Sequence, residues 1–166
     1  KERLVETRTI VLDLERANED GIPATLSTQH PVARGGYQEV LLHEPDAVSF
    51  RGGSSTLPLL VGHQSGEPAI GRVDNLQIRD QELKGVLRFG SSQRARELRE
   101  DIEQGIVTDL SVGYSILEKR LEEDTLVATR WEVHEASLVG VGADPNAQTY
   151  REIPMEAETE IEAQQP

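Results

Sequence analysis

Three separate segments of this chain carry the side-chain types needed for nucleophilic catalysis. Ser111 lies within a run of β-forming residues, His63 follows an apolar run, and Glu135 precedes another apolar run. A serine hydroxyl is a poor nucleophile at neutral pH, so it needs an imidazole to accept its proton and an acceptor to orient that imidazole. Because the chain can supply all three parts, the residue types predict a serine protease.

The segment from residue 106 to residue 117 reads as a strand with two unlike faces. One face is mostly apolar, and the other carries Val107, Asp109, Ser111, Gly113, Ser115 and Leu117. Small polar residues on one face leave space for a substrate, and the glycine on that face permits close approach of a substrate carbonyl. The N–H of Val112 or Gly113 could face a developing oxyanion, so both residues are candidate oxyanion donors.

The sequence leaves open which carboxylate would orient the imidazole. Asp109 lies on the same strand face as Ser111, one pleat or about 7 Å away. Glu135 opens an apolar run in which an unpaired carboxylate would be costly to bury, so we expect it to have a partner. That partner could be an arginine as readily as a histidine. The remaining alternatives are Asp144 as the acid, and Arg72 and Arg130 as partners of Glu135.

Four histidines raise the question of a metal site. They lack the close pairing typical of metal ligands, such as two histidines one helical turn apart, and the chain contains no cysteine. His63 differs from the others because it follows an apolar strand and a glycine and precedes a flexible segment. The other three are His30, His43 and His134. We therefore expect neither a metal nor another cofactor.

The composition favours one acidic domain. The 166 residues include 30 acidic and 17 basic side chains, which give a net charge of −13. This charge repels phosphate backbones, so we expect no direct nucleic-acid binding. No apolar run approaches the roughly 20 residues that span a bilayer, and the first residues lack a signal-peptide core, so we expect a soluble protein that is not exported.

The first part of the chain is predicted to contain few regular elements. Residues 5–15 read as a first strand, and residues 18–36 read as a long surface connection because they are rich in Gly, Pro, Ser, Thr and Gln. An extended segment is predicted for residues 37–42. Residues 45–50 read as a short helical turn opened by proline.

The next part predicts a strand and a hairpin. Residues 57–61 form a short apolar strand that ends at Gly62 and His63, which would place the histidine at the strand end. Residues 72–78 and 82–89 alternate in polarity around a polar turn, as expected for a β-hairpin.

A helix and two long strands follow. Residues 92–104 predict a surface helix, capped by serine at its start and stopped by a glycine after its end. Residues 106–117 and 125–138 predict long strands joined by a charged turn at residues 118–124. Many strands without a βαβ alternation indicate a mainly β fold, an antiparallel sheet or barrel-like single domain with one or two surface helices.

The two ends of the chain differ in composition. Residues 1–150 read as the folded domain. Residues 151–166 contain five glutamates and two prolines but few large apolar side chains, so this segment is predicted to be a disordered tail or linker.

Several motifs resemble those of the prohead maturation proteases of tailed bacteriophages, the caudovirus family that shares a fold with the herpesvirus capsid protease assemblin. The motifs are Leu59-Leu60-Val61-Gly62-His63, Pro68-Ala69-Ile70-Gly71-Arg72-Val73, Asp109-Leu110-Ser111-Val112-Gly113-Tyr114, Trp131, Glu135-Ala136-Ser137-Leu138-Val139 and Ala143-Asp144-Pro145-Asn146-Ala147. The resemblance covers roughly residues 5–150.

This resemblance implies a serine endopeptidase in which His63 is the base and Ser111 is the nucleophile. Glu135 lines up with the second histidine of assemblin, and a carboxylate can serve the same orienting role. Assemblin has paired arginines that support its oxyanion site a few residues further on. In their place this chain has Gly142, Ala143 and Asp144.

The resemblance also implies a biological role. We expect the protein to cleave scaffold or capsid-protein extensions, and itself, inside the phage procapsid in the host cytoplasm. Its partner would be the major capsid protein or scaffold, and a homo-oligomer is one form it could take. The alternative from another functional class is a non-catalytic capsid-assembly or scaffolding module that keeps the same barrel, for which an acidic surface would be suited.

Overall fold

The computed structural model describes residues 11–12 and 21–140. Within these residues, ten strands form one curled sheet that makes a half-barrel, and one α-helix packs beside it. The prediction of a mainly β, barrel-like domain is therefore confirmed. The strands are β1 (Val11–Leu12), β2 (Ile22–Thr28), β3 (Val32–Arg34), β4 (Tyr37–Leu41), β5 (Val48–Phe50), β6 (Leu57–Val61), β7 (Gly71–Arg79), β8 (Glu82–Phe89), β9 (Asp109–Glu122) and β10 (Thr125–Val139). The helix α1 is Gln93–Glu103, and Arg51–Gly53 forms a short 3-10 turn.

Strand β10 pairs with four of the other described strands. The strand order is β1-β2-β8-β7-β6-β10-β4-β3, and β5 and β9 also pair with β10. Strand β9 runs antiparallel to β10, whereas β4, β5 and β6 run parallel to it at successive positions along its length. Because β10 touches both β6 and β9, it can bring together side chains that lie far apart in sequence.

Trp131 is the largest fully buried side chain of the core. This side chain is fully buried, and its ring meets the ring of Tyr114 edge-on at 5.7 Å. The indole Nε1 donates a hydrogen bond to the carbonyl oxygen of Leu42 at 2.8 Å. Satisfying the indole N–H removes the main cost of burying this polar aromatic side chain.

His43 belongs to the core rather than to a site. It is buried, its ring lies 5.1 Å from that of Trp131, and Nδ1 lies 2.7 Å from the carbonyl oxygen of Leu41. Nε2 lies 2.9 Å from the hydroxyl of Ser27. A carbonyl can only accept, so Nδ1 carries the proton and Nε2 accepts from the serine.

The predicted hairpin and helix are confirmed. Strands β7 and β8 pair around Asp80 and Gln81, both of which have positive φ, as the tight turns of hairpins require. Ser92 caps α1 by accepting a hydrogen bond from the N–H of Ala95, and Gly105 follows the helix with φ of 73°.

The surface connection predicted for residues 18–36 is wrong for its described part. Residues 22–28 form β2, which pairs with β8, and residues 32–34 form β3, which turns through Gly35 and Gly36 into β4. Every second residue of the first half of β2 points into the core. Burial of that face outweighed the weak strand preference of glycine, proline and serine.

The helical turn predicted for residues 45–50 is also wrong. The N–H of Ala47 bonds to the carbonyl of Glu44 at 3.0 Å, which closes a single turn, and Val48–Phe50 then pairs with β10 as β5. Pairing with β10 therefore determines the conformation of Val48–Phe50, and the helix-start signal of Pro45 does not.

The long strand predicted for residues 106–117 is shifted. The N–H groups of Ile106 and Val107 bond to the carbonyl of Asp101, so they close the end of α1, and β9 begins at Asp109. Strand β9 ends at Glu122, so residues 118–122 of the predicted turn at residues 118–124 are strand instead. Charged side chains are tolerated there because they are exposed while the backbone still pairs with β10.

Several predictions concern residues outside the described part of the chain. They include most of the first strand at residues 5–15, the acid alternative Asp144, the neighbouring Gly142 and Ala143, and the tail at residues 151–166. Within the described ranges, no helix has the length and apolar character that a membrane crossing requires.

Candidate active site

Two strand pairings bring the candidate residues together. In the β9–β10 register, Ser111 lies opposite Ser137 and Gly113 lies opposite Glu135. On the other side of β10, β6 ends at Val61 beside Leu138, and His63 follows two residues later. The three candidate residues therefore meet above β10 and its two neighbours.

A β-bulge determines which side of the sheet Glu135 faces. The register between β9 and β10 shifts between Val133, which pairs with Tyr114, and Glu135, which pairs with Gly113. His134 is the extra residue. In an unbroken ladder, Glu135 would pair with Val112 and would face the core; the one-residue insertion places it on the Ser111 face instead.

The candidate residues form a continuous hydrogen-bonded chain. The Oγ atom of Ser111 lies 2.9 Å from Nε2 of His63. The other ring nitrogen, Nδ1, is hydrogen-bonded to Oε1 of Glu135. Because a carboxylate accepts from Nδ1–H, Nε2 is left as the acceptor for the serine proton. Hydroxyl, imidazole and carboxylate are thus arranged as general-base activation of a serine requires.

His63 is held in an uncommon backbone conformation. Gly62 and His63 both have φ of 58°, and the N–H of Gln64 bonds to the carbonyl of Val61 at 3.1 Å, which closes a tight turn at the end of β6. A non-glycine residue rarely adopts this conformation, and such strain persists only where its surroundings compensate for it. The turn directs the imidazole back over β10.

Ser137 links the backbone of His63 to the carboxylate of Glu135. Its hydroxyl accepts a hydrogen bond from the N–H of His63 at 3.1 Å and donates one to Oε2 of Glu135 at 2.9 Å. Ser137 is fully buried. In the sequence, Ser137 reads only as part of an apolar run, although its position two residues after Glu135 places both on one face of a strand.

Gly113 makes room for the carboxylate. A Cβ at this position would overlap Oε1 of Glu135 and lie 3.0 Å from its Cδ. The close approach expected at this glycine is therefore made by the acid. The oxyanion role predicted for Gly113 and Val112 stays a prediction; the Val112 side chain is buried in the core cluster.

The alternative acid Asp109 and the two arginines considered as partners of Glu135 bond to other residues. Asp109 accepts a hydrogen bond from the hydroxyl of Thr108 at 2.9 Å. Arg72 pairs with Asp74 at 2.9 Å, and Arg130 pairs with Glu118 at 3.1 Å. The partner expected for the buried Glu135 carboxylate is thus the imidazole of His63.

The other histidines have separate surroundings. Nε2 of His134 lies 2.7 Å from the Ser115 hydroxyl, and the N–H of His30 donates to Thr28 on an exposed turn. Among the residues that the structure describes, no three His, Asp or Glu side chains are grouped as a metal site requires.

Comparison with known proteins assigns the chain to a family. A family model described as the caudovirus prohead serine protease matches residues 24–164, which include all three candidate residues. The chain belongs to the caudovirus prohead serine protease family.

One relative of this chain is named a major capsid protein, from Halomonas phage phiHAP-1. The two sequences are 35% identical over 127 residues, which cover 72% of this chain and 21% of the relative. The chain therefore spans about one fifth of the length of that curated relative. No solved structure gives a significant match.

The candidate site is largely sheltered from solvent. Ser111 is fully buried, and the side chains of His63 and Glu135 are 17% and 12% exposed. Shielding from water strengthens the hydrogen bonds that orient the imidazole.

Proposed function

We propose that Ser111, His63 and Glu135 are the catalytic triad of this prohead protease, and that the enzyme cleaves capsid-protein or scaffold extensions and its own chain during procapsid maturation. The observation that carries the proposal is the hydrogen-bonded chain from the serine hydroxyl through both ring nitrogens to the carboxylate. Membership of a serine protease family supports it.

In the first half of the reaction, Nε2 of His63 takes the proton of the Ser111 hydroxyl as Oγ attacks the scissile carbonyl carbon. A tetrahedral intermediate forms, and the imidazolium is stabilised by Glu135. The proton then passes from Nε2 to the leaving amine as the C–N bond breaks, which leaves an acyl-enzyme. In the second half, His63 activates a water in the same way, and hydrolysis of the ester frees Ser111.

The oxyanion of the intermediate needs hydrogen-bond donors. Among the described strands, β9 pairs along one edge only, with β10. Successive N–H groups of a strand point to opposite edges, so one of Val112 and Gly113 directs its N–H away from β10. Because both residues adjoin Ser111, we propose that this outward N–H contributes to the oxyanion site.

The substrate proposal rests on the family and on the capsid-named relative. In that relative, the matching segment makes up 21% of a polypeptide named as a major capsid protein. A protease segment within a capsid polypeptide would have its own chain as the nearest substrate. We propose the same substrate class here, with the procapsid interior as the place of reaction.

The direct test uses co-expression with the capsid precursor. Ser111→Ala and His63→Ala should each abolish processing, measured by mass spectrometry of the capsid protein. The matched control is Ser115→Ala, because Ser115 lies on the same face of β9 and also bonds to a histidine. Normal processing by either triad variant would refute the mechanism.

A second test separates a protease from a non-catalytic assembly module. A small fluorophosphonate should label Ser111 in the wild-type chain but not in His63→Ala, since only an activated serine reacts. Ser115→Ala should be labelled at the wild-type rate. Absence of labelling together with normal capsid assembly would favour the scaffolding role.

A further inference from the structure

A second polar site lies on the same sheet face as the candidate triad. It is a pocket of about 380 Å³ whose lining includes Arg51, Ser54, Thr56, Pro58, Arg72 and His134. We call it the arginine pocket. Two guanidinium groups and two hydroxyl side chains are the donors that recognise a carboxylate in proteins.

The strand register places the arginine pocket beside the triad. Pro58 pairs with Arg72 on one side, and the pairing of Leu59 with Ala136 places Pro58 next to Glu135 on the other. Neighbouring strands are about 4.8 Å apart, so the Cα of Arg72 lies roughly 10 Å from that of Glu135. An extended peptide advances about 3.4 Å per residue, so the pocket is a few substrate residues away from Ser111.

The charges around the arginine pocket leave a positive surplus. Asp74 lies between two arginines, with its carboxylate 2.9 Å from Nε of Arg72 and 2.6 Å from Nε of Arg88. Arg51 forms no salt bridge with any of the residues that the structure describes. Of the lining residues, His134 also lies near a carboxylate, with its Nε2 3.7 Å from Oε1 of Glu132. The pocket lining thus includes two arginines and no carboxylate, in a chain whose net charge is −13.

The terminal nitrogens of Arg72 are accessible. Only its Nε is engaged by Asp74, and its side chain is 64% exposed. A guanidinium that is already oriented by one carboxylate can offer its terminal N–H groups to a second with little further loss of entropy.

We propose that the arginine pocket is a specificity subsite that binds an acidic side chain of the peptide substrate. This inference rests on the proposed function, because it treats the face around Ser111 as the substrate-binding face. The chain itself contains a segment with matching chemistry: residues 151–166 include five glutamates and one arginine. A glutamate of this segment is the occupant that we propose for self-cleavage.

The test measures binding rather than catalysis. The probe is a fluorescent peptide with the sequence of residues 150–164, compared with an analogue in which its five glutamates are replaced by glutamine. The protein is the full chain carrying Ser111→Ala, with the same five tail glutamates changed to glutamine so that the tail does not compete. At low ionic strength, the glutamate peptide should bind about tenfold more tightly than its analogue, as expected for a charge-assisted pair.

The pocket is then tested with two double variants of equal charge. Arg51→Gln with Arg72→Gln should abolish the preference for the glutamate peptide. Arg94→Gln with Arg96→Gln, on the helix α1, changes the net charge equally and should leave the preference intact. Equal affinity for the two peptides in the parent chain, or a preference that survives the pocket double variant, would overturn the inference. Because the chain in this assay lacks Ser111, a failure of the catalytic mechanism would be seen only in the labelling and processing assays.

Discussion

Glu135 and Gly113 face each other across β9 and β10, and the carboxylate of the first occupies the space that a side chain on the second would fill. The candidate acid therefore depends on a residue that has no side chain. Catalytic geometry at this site is sensitive to changes that leave the three candidate residues untouched.

Gly113→Ala should inactivate the enzyme without unfolding it. The added methyl group pushes the Glu135 carboxylate away from Nδ1 of His63, and loss of orientation of this kind costs on the order of 10²-fold. The value to measure is kcat/KM on the capsid precursor, with thermal unfolding as the check on folding. Gly140→Ala is the matched control, because a Cβ there meets nothing within 4 Å. Full activity in Gly113→Ala would show that the position of Glu135 is unimportant.

Glu135→Gln should lower kcat by about 10³- to 10⁴-fold, as removal of the charge does in other triads. The amide has nearly the same shape, but it neither stabilises the imidazolium nor favours the required tautomer. Asp109→Asn should have a much smaller effect, since Asp109 bonds to Thr108. Steady-state kinetics of both variants on one substrate decides between the two carboxylates. A larger loss in Asp109→Asn would mean that Asp109 is the acid.

Ser137→Ala should slow catalysis through positioning alone. The change removes the acceptor of the His63 N–H and a donor to Glu135, so kcat should fall about tenfold or more while KM stays near the wild-type value. Leaving the part-buried N–H of His63 without its acceptor should also lower the unfolding free energy by about 1 kcal/mol.

Ser137→Thr provides the control, because it retains the hydroxyl. It should recover most of the lost kcat, whereas a role in packing alone predicts no recovery. A KM that rises while kcat is unchanged would argue against positioning.

His43→Ala should affect stability and not chemistry. The change leaves a cavity beside Trp131 and removes the hydrogen-bond partner of Ser27, so unfolding free energy should fall by about 2–4 kcal/mol. Urea unfolding measures the loss, and the rate of fluorophosphonate labelling in the absence of urea should be unchanged. A selective loss of labelling with intact stability would mean that His43 serves the active site.

Local pattern predicted a large share of this fold. Alternation and turn residues identified the β7–β8 hairpin, and the capping serine and the following glycine identified α1. These signals lie within a few residues of one another, so neighbouring side chains carry them. The same reasoning missed β2, because its strand character comes from pairing with the distant β8 and not from its own composition. It also missed β3, which pairs locally with β4 across the turn at Gly35 and Gly36.

Sequence pattern alone was enough to predict the chemical types, the segments that carry Ser111 and His63, and the resemblance that links them. It left the choice between Glu135 and Asp109 open. The tertiary structure decided which carboxylate meets the imidazole, because that depends on the register of β9 against β10 and on a one-residue bulge at His134. Strand register is set by contacts along the whole length of two strands, and a single inserted residue reverses the face of every side chain beyond it.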